Sequence, residues 1–185
     1  MPGGQYDRYE RKPISDESDT QGIISVSYKV VSNDRFTIND LGIKAGYFAT
    51  ENMTIGFEYF YLFDESVTFT PAEGEPGAAI RFDYYSANVS YFISRSFVLT
   101  SLGLNMGFGQ MNFTATRGTP ILDDMTGDWV TVIEPMANVY VQMFDYFFLN
   151  LTAGYRIVNG VEEYNDLENS DMSGFSSSIG LSYMF

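Results

Sequence analysis

From Gly22 to the last residue the chain alternates, with large apolar residues at every second position and small or polar residues between them. A period of two marks an extended strand with two unlike faces. The first run, GIISVSYKVV, sets Ile24, Val26, Tyr28 and Val30 against Ser25, Ser27 and Lys29. LGIKAGYFA and TIGFEYFYLF follow, with Gly42, Lys44, Gly46, Gly56 and Glu58 on the polar face. IRFDYYSANVSYFI continues the pattern, with a slip of phase near Tyr84 and Tyr85 that predicts a bulge. FVLTSLGLNMGFGQMNF, WVTVIEPMANVYVQMF, YFFLNLTAGYRI and GFSSSIGLSYMF bring the number of runs to eight. Pro135, inside the sixth, must sit where no ladder donor is needed.

The connections alternate in length. TEN, SRS and DY are short. DESVTFTPAEGEPGA, TATRGTPILDDMTGD and VNGVEEYNDLENSDMS are long, and SNDRFTIND is intermediate. Short turns therefore gather at one end and long loops at the other, as in an up-and-down meander. Residues 1–21 mix charges without an apolar period and read as a polar tail, disordered or partner-bound. The expected domain is thus 22–185, with 1–21 as an appendage. Val67 and Phe69, apolar residues in a long loop, read as a strand extension or a protein contact, with extension favoured.

Alternation does not say which face meets solvent, but composition does. A soluble surface carries roughly 25–35% charged residues, whereas the polar face of this chain has only a few isolated charges. Its polar face is mostly Gly, Ser, Asn and Thr, which suits a crowded barrel interior. Its apolar face is rich in Tyr and Phe near the strand ends, as at lipid interfaces. The expected fold is all-β: an eight-stranded antiparallel up-and-down transmembrane β-barrel, polar face inward. The alternative is a soluble barrel with its apolar face inward.

The ending SIGLSYMF resembles the assembly signal of outer-membrane β-barrels. Ser178, Gly180, Tyr183 and Phe185 occupy the polar, glycine, third-last and last aromatic places of that signal. LGIKAGYFATENMTIGFEYFY resembles the hairpins of small OmpA/OmpX/OmpW-type barrels. VIEPMANVYVQMFDYFFLNLTAGYRIVNG is similar to a recurrent segment of poorly characterised barrels of that kind. The resemblance implies a bacterial outer-membrane location, surrounding lipid and lipopolysaccharide, and insertion by the barrel-assembly machinery. It also implies a cleaved signal peptide, since MPGGQYDRYERKP has no apolar core of its own.

Lys29, Lys44, Glu58, Glu134 and Arg156 fall on the small-residue face. Unpaired charges inside a narrow barrel would be costly. A turn centred on Glu51 would set Lys44 opposite Glu58, and one centred on Asp145 would set Glu134 opposite Arg156. With Asn88, Asn105, Asn138, Gln142 and Asn150 these charges would plug the lumen. A gated ion path is the sharper alternative.

Other chemistry is thinly represented. A charge of −14, from 24 Asp+Glu against 10 Lys+Arg, argues against nucleic acid. Without cysteine there are no disulfides or thiolate metal sites, and without histidine the commonest general base is missing. No enzyme activity, cofactor or metal is expected. Glu162, Glu163, Asp166, Glu168 and Asp171 form an acidic loop that could attract a hard cation such as calcium, though such loops are usually only solvated. The functional expectation is a structural or interaction role, with loops or tail engaging a protein partner. A small solute channel is the alternative.

Overall fold

The computed structural model describes residues 21–33, 37–62, 68–69, 78–95, 98–115, 128–161 and 168–185. Its strands are β1 (Gly22–Ser32), β2 (Thr37–Thr50), β3 (Met53–Leu62), β4 (Thr68–Phe69), β5 (Ala78–Arg95), β6 (Val98–Ala115), β7 (Asp128–Gln142), β8 (Phe147–Asn159) and β9 (Gly174–Met184). A single helical turn, α1 (Asn169–Met172), precedes β9. β4 is a two-residue addition paired with Ala78 and Ala79, so the extension favoured for that loop is present at Phe69, while Val67 lies outside the described residues.

The other eight strands pair antiparallel with their sequence neighbours, and β1 pairs with β9 to close the ring. Closure removes the free edges that an open sheet would expose. β1 and β9 run together from Ile23–Met184 to Ser32–Phe175. At the very end Gly22 N–H donates to Phe185 O at 2.7 Å and Phe185 N–H to Gly22 O at 3.0 Å.

The faces segregate as the alternation requires. Ile24, Val26, Ile43, Tyr47, Phe57, Leu102, Phe108, Leu181 and Phe185 point outward and are exposed. Ser25, Lys29, Lys44, Glu58, Ser86, Asn88, Asn105 and Asn138 point inward and are buried. Small inward residues make room for large ones: a β-carbon on Gly42 would collide with the Phe60 ring. Pro135 faces outward, and the β7–β8 pairing lapses between Ile133 and Met136, as its missing N–H demands.

Three features depart from the sequence reading. β2 begins at Thr37, inside the stretch read as a connection. Its outward residues there, Thr37 and Asn39, are polar, so no apolar alternation announces the strand. Secondly, there is no bulge at Tyr84 and Tyr85. The register of β5 runs unbroken from Ala78 to Phe92 and shifts only between Phe92 and Ser94. Phe82 and Tyr84 are inward aromatics, Tyr85 an outward one, and the phase never slips.

Thirdly, the interior is not polar throughout. At the long-loop end Val31, Ile38, Phe60, Leu62, Phe82, Met111, Val130, Val132, Val158 and Met172 form an apolar layer. At the turn end Ile23, Phe92, Leu99, Tyr140, Phe148 and Met184 form a second. The polar residues lie between these two layers.

Candidate functional site

The upper part of this polar middle is built on Tyr84. β1 presents Lys29 and β7 presents Glu134, whose Oε2 lies 2.7 Å from Lys29 Nζ. The same ammonium donates to Tyr84 Oη at 3.2 Å and sits 3.7 Å above the Phe60 ring centroid. From β8, Arg156 Nη2 donates to Tyr84 Oη at 3.1 Å and forms an ion pair with Asp40 of β2. Tyr84 Oη in turn lies 3.5 Å from Glu134 Oε2, as donor. One hydroxyl thus joins two ion pairs, and all five residues are buried.

A second network lies beneath it. Lys44 and Glu58 face each other in the β2–β3 register, with Nζ to Oε1 at 3.2 Å. Asn105 Nδ2 donates to Glu58 Oε2 at 2.6 Å, and Asn88 Nδ2 donates to Asn105 Oδ1 at 2.5 Å. Asn138 Nδ2 donates to Ser101 Oγ at 3.1 Å, and Thr152 Oγ1 donates to Asn138 Oδ1 at 2.8 Å. Gln142 serves the turn instead, donating to Asp145 O at 3.0 Å. A void of about 20 Å³ among Lys29, Lys44, Glu58 and Asn138 has room for about one water rather than for a path.

Glu134 and Arg156 lie in step between the paired positions Ile133–Ile157 and Met136–Gly154. Each nevertheless takes its ion-pair partner from across the lumen, Glu134 from β1 and Arg156 from β2. Asp40 and Tyr84 are the members that sequence reasoning overlooked. Counting back by twos from Lys44 reaches Gly42 and then Asp40, so the parity signal was present.

At the long-loop end α1 packs against β8. Met172 drops into the upper apolar layer. Asn33 Nδ2 donates to Asp171 O at 2.5 Å and to Ser173 O at 3.0 Å, holding the turn down. Asp171 Oδ2 accepts from Glu168 N–H at 2.9 Å as part of a capping box. Of the acidic loop, then, Glu168 and Asp171 cap a helical turn, while Glu162, Glu163 and Asp166 lie outside the described residues. No group of three or more potential metal ligands occurs among the described residues.

At the other end, Tyr183 and Phe185 stack on the outer face with centroids 5.7 Å apart. Ser178 and Gly180 face inward opposite Lys29 and Ser27.

No family model matches the chain, and no curated protein sequence does. Solved structures do match. Neisserial surface protein A aligns at TM-score 0.59 and 14% identity, over 91% of this chain and 98% of that one. The N-terminal β-barrel domain of Pseudomonas aeruginosa OprF aligns at TM-score 0.58 and 12% identity, over 90% and 99%. The fold is that of the small eight-stranded outer-membrane β-barrels. Ail, the attachment invasion locus protein of Yersinia pestis, shares this barrel at TM-score 0.52 and 16% identity, over 91% and 100%. In such a barrel the exposed apolar wall faces lipid and the polar face lines the lumen. The two networks accordingly occupy the interior, where eight strands leave space that side chains fill.

Proposed function

We propose that this chain is a non-conducting barrel of a bacterial outer membrane, with a structural or interaction role: it anchors its long loops and N-terminal tail for partners. Both termini would lie on the periplasmic side and the long loops outside. Lipid and lipopolysaccharide would surround the wall, and the barrel-assembly machinery would read Ser178, Gly180, Tyr183 and Phe185 during insertion. The observation that supports the reading is a polar middle of paired charges held between two buried apolar layers. An ion crossing it would have to pass two apolar layers and break ion pairs that are buried among protein atoms. Removing one partner of such a pair costs about 3–5 kcal/mol, which disfavours ready opening. No enzymatic role is proposed, because the buried charged groups are engaged with one another.

Planar-bilayer recordings test the reading. Wild type and Glu134→Ala should both be silent. Discrete conductance in wild type, altered by Glu134→Ala, would favour the small-channel alternative instead. The interaction role predicts that a partner recovered from native membranes in mild detergent is lost when residues 1–21 or a long loop are deleted, while the barrel stays folded.

A further inference from the structure

The outer wall carries a continuous run of aromatic rings on one side. Phe57 stacks on Tyr85 with centroids 5.9 Å apart, and Tyr59 stacks on the same ring at 4.8 Å. Tyr85 meets Phe108 at 6.4 Å, and Phe108 meets Trp129 at 6.0 Å. The ribbon crosses β3, β5, β6 and β7 near the long-loop end. One step further toward the loops the outward residues turn polar: Asp83 and Arg81 on β5, Gln110 and Asn112 on β6. A change from aromatic to polar on a lipid-facing wall marks the headgroup level.

Arg81 stands at that level. Among the described side chains it is the one exposed cation, since Lys29, Lys44 and Arg156 are all inside. It is also held in place. Its guanidinium lies 5.1 Å from the Tyr61 ring centroid, and its Nε pairs with Asp83 Oδ2 at 3.4 Å. The contact engages Nε, and 57% of the side chain remains exposed. A planar fork fixed in this way is suited to a phosphate, which it can bind through paired N–H groups. Asn112 is its register neighbour on β6 and can add an amide donor.

We propose that this patch seats an anionic lipid of the surrounding leaflet, one whose phosphate is not balanced by a cationic headgroup, with the phosphate on Arg81 and an acyl chain along Tyr85 and Phe108. The proposal rests on the membrane reading but not on the state of the lumen, because every residue in it is on the outer wall.

Trp129 is the only tryptophan in the chain, and it sits within the ribbon, so it reports on the site directly. The barrel is reconstituted in phosphatidylcholine containing increasing shares of chain-brominated phosphatidylglycerol or chain-brominated phosphatidylcholine, and quenching of Trp129 is followed. The anionic lipid should reach half-quenching at a share about tenfold lower than the zwitterionic lipid, the size expected of one charge-assisted contact. Arg81→Gln should erase the difference and Arg81→Lys should keep part of it, both with unchanged unfolding midpoints. Coincident curves for the two lipids in wild type, or an anionic preference that survives Arg81→Gln, would overturn the proposal. So would full displacement by millimolar inorganic phosphate, which would assign the seat to the free anion. A barrel that stays monomeric without detergent would sink the membrane reading itself, a separate result.

Discussion

A side chain on Gly22 would run into the ring of Phe185: a β-carbon there lies 2.6 Å from Phe185 Cζ. The same two residues exchange backbone hydrogen bonds at the seam between the first and last strands. Phe185 is thus held at the seam by backbone pairing and covers a glycine.

Gly22→Leu should push the exposed Phe185 ring aside and destabilise the barrel by no more than about 1 kcal/mol. Phe185→Ala in the same chain should relieve most of that, since the space reopens. Unfolding midpoints in detergent of the two single variants and the double variant measure the coupling. Simple addition of the single effects would show that the ring and the glycine do not interact.

The pair of Lys29 and Glu134 makes an asymmetric prediction. Glu134→Leu alone strands a buried ammonium and should cost about 3–5 kcal/mol. Lys29→Met combined with Glu134→Leu should recover most of the loss, because a matched apolar replacement leaves no orphan charge. Denaturant titrations in lipid vesicles would show it, and a double variant as unstable as the single one would refute it.

Tyr84 joins the two upper ion pairs through one oxygen. Tyr84→Phe keeps the ring between Phe60 and Phe82, with which it stacks at 5.0 and 5.3 Å, and removes only the hydroxyl. The expected cost is about 1.5–3 kcal/mol, the range for hydrogen bonds to charged groups. Bilayer recordings of the variant should stay silent, because the apolar layers do not depend on that oxygen.

Asn33 fastens the α1 turn by hydrogen bonds, and Met172 fastens it by packing into the apolar layer. Val158 N–H donates to Ser173 Oγ at 2.9 Å and Val161 N–H to Asn169 Oδ1 at 2.9 Å, so these two amides report on it. Asn33→Ala or Met172→Ser should speed hydrogen exchange at both amides while leaving Leu151, mid-strand in β8, protected. Unchanged exchange at Val158 and Val161 would mean the turn holds without these anchors.

Strand number, order and facing were legible because lipid outside and crowding inside impose opposite demands on alternate residues. The Lys44–Glu58 facing was legible for the same reason, since a tight turn fixes the register of a hairpin. The partner choice of Glu134 and Arg156 was not, because it is made across the lumen, where sequence distance carries no register. Tyr84 and Tyr85 show a second limit. Two adjacent aromatics look alike in a sequence, yet one lines the interior and the other meets lipid. Asp40 shows a third: where a strand rises past the apolar band, its outward residues become polar and the alternation fades, though the parity of its inward residues persists.

The cancellation of charge inside the lumen has an effect at a distance. Lys29, Lys44 and Arg156 are matched one for one by Glu134, Glu58 and Asp40. These three pairs therefore contribute nothing to the formal charge of −14, which is carried by the remaining residues. Barrels crowded side by side in one membrane would repel through that net charge, over a screening length of about 8 Å at physiological ionic strength. Their spacing in the membrane plane should then tighten as salt is raised, with no change inside any barrel.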